Sequence, residues 1–261
     1  MHTVRPPAVA GTFYPADRSQ LSSLLQDLLK QAKAQGEAPK AIIAPHAGYI
    51  YSGPIAASAY ATLLSRRDVI TRVILLGPAH RVGFVGLAVS SADAFSTPLG
   101  QVPLDQDAIA HLLDLPYIKT LDQAHAFEHS LEVHLPFLQT VLHSFTLVPI
   151  VVGNATPREI ANALDCVWGG DDTLIVVSSD LSHYHDYATA KQMDAHTSSA
   201  IEALQPEQIN HDDACGRLPI SGLLLAARQR GMKASTVDLR NSGDTAGSKD
   251  SVVGYGAYVI R

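Results

Sequence analysis

Residues 40–53 read KAIIAPHAGYIYSG. The run AIIA has no polar alternation, which predicts a strand buried on both faces, yet within two residues it gives way to His46 and then to small residues. The same pattern recurs twice: VILLGPAH runs into His80, and LIVVSSDLSH runs into Asp180 and His183. Parallel strands end on one edge of their sheet, and open α/β folds bind ligands in the crevice beyond that edge. The three motifs are therefore expected to converge, although they lie far apart in the chain. Each strand acts as a rigid support, and its imidazole is the first group past the core that can face a pocket.

The surrounding sequence supports that frame. Between Arg18 and Ala34, leucines at 21, 24, 25, 28 and 29 share one helix face, and Gly36 follows as a stop signal. Further helices are predicted over GPIAASAYATLLSR, with Pro54 in the first turn, over DQDAIAHLLDL, and over EHSLEVHLPFLQTVL. Another covers 157–167, opened by Thr156, Pro157 and Glu159, and two more cover 187–204 and PISGLLLAARQRG. Strands are predicted over RVILLGP, FTLVPIVVG, TLIVVSSD and VVGYGAYVI. Apolar strands separated by helices predict an α/β fold with a mostly parallel or mixed central sheet and helices on both faces. No repeat or linker divides the chain, so one domain over 1–261 is expected. The Gly/Ser/Asp-rich stretch 241–251 reads as a loop at a pocket rim.

Composition narrows the function. A single α/β domain can hold 261 residues, of which 46% are hydrophobic and 17% charged, a core-forming mixture. The formal charge of −6, from 25 acidic and 19 basic residues, would repel a phosphate backbone, so nucleic acid is excluded as a partner. No run approaches the roughly 18 apolar residues of a membrane span. Met1 to Pro15 lacks the basic start and apolar core of a signal peptide, and two cysteines are too few for a disulfide scaffold. A reducing cytoplasm is the expected setting.

A histidine after one strand is commonly a hydrogen-bonded loop residue, but three such ends in one sheet favour a site for His46 and His80. His183 fits either a metal ligand or an acid/base group, and Asp180 either a catalytic carboxylate or a helix cap. Of twelve histidines, His111, His143, His196 and His211 lie in polar or helical context and are expected at the surface. Cys215, in DDACGRLPISG, precedes a helix start that favours a thiolate, and Gly216 would let the backbone there approach a neighbour closely. The plainer reading of Cys215 is a small buried hydrophobe, which is the better reading for Cys166 beside Leu164, Val167 and Trp168. In AHAFEHSLEVHLP a helix would put Glu128 and Glu132 on one face. Glu128 and His129 then line a solvated surface or orient imidazoles that hold an ion. The spacing is not that of the HExxH zinc proteases.

Taken in order, AGTFYP with its following helix, APHAGYIYSG, LLGPAH, STPLG, EHSLEVHLPF, VPIVVG, VVSSDLSH, CGRLPI and VVGYGAY span nearly the whole chain, and in them it resembles the MEMO family. That family is similar in fold to the class III extradiol ring-cleavage dioxygenases, which hold Fe(II) with two histidines and a glutamate and keep another histidine as acid/base. The resemblance implies His46 and His80 as paired ligands, Cys215 as the third, and His183 with Asp180 as the acid/base or a fourth ligand. It also implies Glu128 and His129 as pocket lining, Fe(II) as the ion, a small-molecule substrate, and in bacteria a pathway shared with a radical-SAM protein. Cys215 departs from the dioxygenase pattern. A thiolate in place of a carboxylate keeps the charge, softens the site toward Cu(I) or Zn(II), and sets an oxidisable sulfur beside any dioxygen. Three functions fit such a pocket: a metal-dependent redox enzyme of dioxygenase type, a metal-assisted hydrolase with Asp180 or His183 as base, and a non-catalytic protein that binds metal or peptide.

Overall fold

The uninterrupted apolar runs of the sequence become the middle of a mixed sheet, as their burial on both faces requires. The computed structural model describes residues 2–32 and 37–261. In chain order its strands and α-helices are β1 (Val4–Arg5), α1 (Arg18–Gln31), β2 (Ala41–Ala44), α2 (Tyr49–Tyr60), β3 (Arg72–Pro78), β4 (Leu87–Val89), β5 (Ala94–Thr97), β6 (Gly100–Pro103), α3 (Gln106–Leu113), β7 (Ile118–Thr120), α4 (Asp122–Ala126), α5 (Leu135–Val141), β8 (Thr146–Val152), α6 (Pro157–Val167), β9 (Thr173–Ser178), β10 (His183–His185), α7 (Tyr187–Glu202), α8 (Arg217–Gln229), β11 (Ala234–Asn241) and β12 (Val252–Ile260).

Among the described residues the main sheet has nine strands in the order β10-β12-β2-β9-β3-β8-β4-β7, with β11 also paired to β12. The four central strands β2, β9, β3 and β8 are parallel. They are flanked by antiparallel β12 on one side and antiparallel β4 on the other. Parallel pairing delivers the carboxyl ends of β2, β9 and β3 side by side. Helix α8 packs on β3, β9 and α6, while α2 packs on β2, β12, α1 and α5. A small sheet of β1, β5 and β6 brings the N-terminal segment onto the body. No helix among the described residues is long and apolar enough to cross a membrane.

Local chemistry explains most element boundaries. Asp17 caps α1 by accepting from the Gln20 N–H, and Leu21, Leu25 and Leu28 form its buried stripe. Ala32 is already extended, and the expected stop at Gly36 lies outside the described residues. Thr156 and Glu159 form the expected capping box of α6.

Three expectations are corrected. Helix α2 begins at Tyr49 and carries Pro54 in its interior, because Gly48 O already accepts from the Tyr51 and Ser52 N–H groups and closes a turn earlier. EHSLEVHLPFLQTVL is not one helix: 128–131 is irregular, Glu132–His134 is a 3-10 turn, and α5 starts at Leu135. The Glu128 carboxylate accepts from the His129 and Ser130 N–H groups, and such side-chain bonds compete with helix formation. Cys166 is exposed, because the buried stripe of α6 is Ile160, Ala161, Ala163, Leu164 and Val167 and position 166 falls off it.

Candidate metal centre

His46 stands two residues past the end of β2 and is 2% exposed. Its backbone N–H donates to Asp180 Oδ1 at 2.8 Å, and its Nδ1 lies 2.6 Å from Ser178 Oγ at the end of β9. The Ser178 hydroxyl in turn donates to Ser130 O at 2.6 Å. A hydroxyl has one proton, so Ser178 must accept from His46 Nδ1–H, and this assigns the tautomer. The lone pair of His46 is then on Nε2, which points at Cys215 Sγ 3.5 Å away.

His80, past the end of β3, is fixed by a different partner with the same result. Its backbone N–H donates to Glu128 Oε2 at 2.6 Å, and its Nδ1 lies 3.1 Å from Glu128 Oε1. A carboxylate can only accept, so Nδ1 carries the proton and Nε2 is again free to bind. Burial by itself would raise the Glu128 acid, but the His80 ring and the backbone N–H groups of Ser130 and His80 outweigh it and bring the pKa to about 2. Glu128 is therefore a charged, buried anchor rather than part of a solvated face.

Cys215 sits one residue before the Gly216 cap of α8. A side chain at 216 would place its Cβ 2.5 Å from both Ser178 O and Ser179 Cβ, so only glycine lets this turn reach the end of β9. Sγ accepts from the Asp180 N–H at 3.3 Å. Burial first and the Asp180 carboxylate next push the thiol up to about 12, so without an ion Cys215 is protonated. A cavity of about 300 Å³ opens beside it, lined by Phe84, Val152, Asn154, Leu218 and Pro219 among others. A larger one of about 460 Å³, near Arg18 and Phe145, contains no member of the cluster.

The binding atoms of His46, His80 and Cys215 lie within 4.8 Å of one another, and so do those of an overlapping set, His80, Glu128 and His129. The His129 ring stacks on His80 at 4.8 Å and meets His46 edge-on at 5.4 Å. Its Nδ1 is buried with no hydrogen-bond partner among the described residues. Burial holds His129 at about 4 and His46 well below the ordinary imidazole range, so both rings are neutral at physiological pH. Two imidazoles with their Nδ1 protons tied back, and a thiol beside them, are a donor set suited to a soft or borderline ion.

Asp180 caps no helix. Its buried carboxylate accepts from the backbone N–H groups of His46 and Ala47, and burial raises its pKa to about 6 against those bonds. His183 stands in β10, half-buried, outside both sets; burial lowers its pKa, and its charge would be felt by His46. His111, His143, His196 and His211 are exposed, as expected.

Arg5 contributes to the site although nothing in its sequence context marks it. Arg5 donates to His125 O, Glu128 O and Glu132 Oε2, each at 2.7 Å. Glu132, 0% exposed, also accepts from Ala8 N, Val9 N and Tyr14 Oη. This buried ion pair clamps the 125–132 segment, from the end of α4 to the 3-10 turn, and Ser130 bonds it to Pro78 O at the end of β3.

An α/β fold with His, His and Cys gathered at the carboxyl edge of its parallel strands defines a class of proteins with a candidate metal centre. The profile of the Memo-like protein family matches residues 5–259, and the chain belongs to that family. A MEMO1 family protein of Aquifex aeolicus is 39% identical over 263 residues, covering 97% of each chain. One of Aeropyrum pernix is 39% identical over 283 residues, covering 98% of this chain and 99% of the relative. In fold, the chain is similar to an uncharacterized protein of Escherichia coli K12 with a TM-score of 0.55 and 14% identity, covering 84% of this chain and 98% of the other.

Proposed function

We propose that the protein is a metal-dependent redox enzyme acting on a small molecule, with one ion held by His46 Nε2, His80 Nε2 and Cys215 Sγ. The observation that carries this reading is the convergence of two imidazoles, each with its proton fixed on Nδ1, on a thiol within 4.8 Å. The ion would be Fe(II), supplying Lewis-acid polarisation and one-electron chemistry when bound. Ser178 and Glu128 hold the two rings in the binding tautomer. Asp180 fixes the turn that carries His46, and neutral His183 accepts or returns a proton at its ring nitrogen beside the cluster. A partly apolar cavity opens beside Cys215, on one side of the cluster.

The soft sulfur ligand favours a second reading, a zinc site that activates water for hydrolysis with His183 or Asp180 as base. Metal analysis of anaerobically purified wild type and Cys215→Ser decides between them. Iron in the wild type, much reduced in the variant, with substrate-dependent oxygen uptake abolished by a chelator, supports the redox reading. Zinc without any redox response supports hydrolysis. Equal metal in both proteins removes Cys215 from the site.

A further inference from the structure

The Gly/Ser/Asp-rich stretch 241–251 borders a cavity that none of the metal-cluster residues lines. The cavity holds about 320 Å³ between α7, the end of β11 and a 3-10 turn at Ser242–Asp244, with Tyr187, Lys191, Asp194, Leu239, Asn241 and Asp244 in its wall. Two of those side chains are buried yet only partly bonded. Asp194 is 3% exposed; a carboxylate can accept about four bonds, and this one takes the Ser182 N–H at 3.0 Å with the Ser182 hydroxyl close by. Asn241 is 1% exposed; its Oδ1 accepts from the Gly243 N–H at 2.9 Å, while its amide nitrogen has no partner among the described residues. Buried polar groups are normally hydrogen-bonded, so open ones in a cavity wall point to a ligand.

Strand register sets the two side by side. Asn241 pairs with Gly254 across the β11–β12 ladder, and residues at paired positions share a face of the sheet. A Cβ at Gly254 would collide with both oxygens of Asp194, so the carboxylate fills the place of the missing side chain, next to Asn241. The charged groups of the wall then sort by what they already hold. Arg240 donates to both oxygens of Asp238, and Asp244 accepts from Tyr187 Oη and the Asn241 N–H. Lys191 is exposed and has no anionic partner among the described residues; its ammonium stands 5.6 Å over the Tyr187 ring. Lys191 and Asp194 lie three positions apart on α7 and so share a helix face. One open cation beside one open carboxylate suits a ligand that carries both charges a few bonds apart, and a simple anion or a simple cation would meet a repelling group.

We propose that this cavity binds a small zwitterion, an α-amino acid with an apolar side chain. Asp194 accepts from its ammonium, Lys191 and the Asn241 amide nitrogen hold its carboxylate, and its side chain lies against Leu239 and Ala195. The site uses none of the metal ligands and stands whether or not an ion binds at the cluster. The test titrates the full chain, kept metal-free in EDTA, by calorimetry with three probes: L-leucine, isoamylamine, which lacks the carboxylate, and isocaproate, which lacks the ammonium. L-leucine should bind one to one, and each analogue about tenfold or more weakly, the loss expected for one hydrogen-bonded charge. Lys191→Met keeps the apolar stem and should weaken L-leucine by about tenfold, as should Asp194→Asn. Lys249→Met, over the Tyr187 ring but outside the cavity wall, should bind L-leucine as the wild type does.

Lys191 is exposed, so its variant reads the site even where Asp194→Asn does not fold. No heat of binding with L-leucine, an analogue that binds as tightly as L-leucine, or wild-type affinity in Lys191→Met overturns the proposal and leaves the metal reading standing. Equal weakening in Lys191→Met and Lys249→Met overturns it too, because surface charge rather than the cavity would then hold the ligand.

Discussion

Ser178→Ala deletes one oxygen and tests how the metal-binding tautomer is set. Ser178 is fully buried, and its hydroxyl makes two bonds of 2.6 Å, accepting from His46 Nδ1 and donating to Ser130 O. Without it a ring N–H and a carbonyl are left unpaired in the interior, at about 1–3 kcal/mol each. The imidazole can relieve part of this by moving its proton to Nε2, toward Cys215 Sγ 3.5 Å away. The metal-free fold should then lose about 2 kcal/mol in urea unfolding. An ion would have to displace the relocated proton, and groups that orient metal-binding histidines are worth about tenfold to a hundredfold in affinity. Competition with a coloured chelator for zinc should show that loss, equivalent to about 1.4–2.7 kcal/mol. Nitrogen chemical shifts of the His46 ring should show Nδ1–H in the wild type and a tautomer mixture in the variant. Wild-type affinity together with an unchanged His46 tautomer would refute the reasoning.

The Glu128 carboxylate, held at about 2 against an ordinary 4.5, stabilises the fold fully above pH 4.5 and loses that contribution as pH falls toward 2. The urea midpoint of the wild type should therefore fall over that window, and that of Glu128→Gln, lower at the outset, should fall less; parallel curves would contradict this. Arg5→Gln leaves the Glu132 carboxylate buried without its cation and should destabilise the protein by about 3–5 kcal/mol in thermal unfolding, with Arg5→Lys intermediate. An unchanged melting temperature would show that the ion pair does not pin the 125–132 segment. Zinc loading near neutral pH should release about one proton from the Cys215 thiol and none in Cys215→Ser, read by calorimetry in buffers of different ionisation heat.

The centre of the sheet was legible because Ala41–Ala44, Arg72–Pro78, Thr146–Val152 and Thr173–Ser178 are apolar throughout or nearly so, which burial on both faces demands. Shorter strands such as Leu87–Val89 and His183–His185 offer too few residues for any period to register. Strand direction anticipated that His46 and His80 meet, whereas the same argument for His183 fails, since it stands outside both ligand sets, and Cys215 was expected as the third ligand only from the family resemblance. What fixes those side chains was only partly legible: Glu128 was open between a solvated surface and a group that orients an imidazole, and Ser178 carried no signal. Glu128 looks like a helix-face acid in sequence, but its carboxylate bonds the His129 and Ser130 N–H groups and is aimed by His80, 48 positions away, while Arg5, 123 positions away, holds its backbone carbonyl. Ser178 is an ordinary strand-end serine until β2 is laid beside it. Tyr184, at φ +62°, likewise takes a left-handed backbone that nothing in its residue type marks.

The central claim, a single ion bound by two imidazoles and one sulfur, is tested most directly by X-ray absorption spectroscopy of the metal-loaded protein. One sulfur and two imidazole scatterers are expected in the wild type, with the sulfur shell lost in Cys215→Ser and one imidazole lost in His80→Ala. A spectrum of oxygen and nitrogen donors alone, unchanged in both variants, would contradict the account.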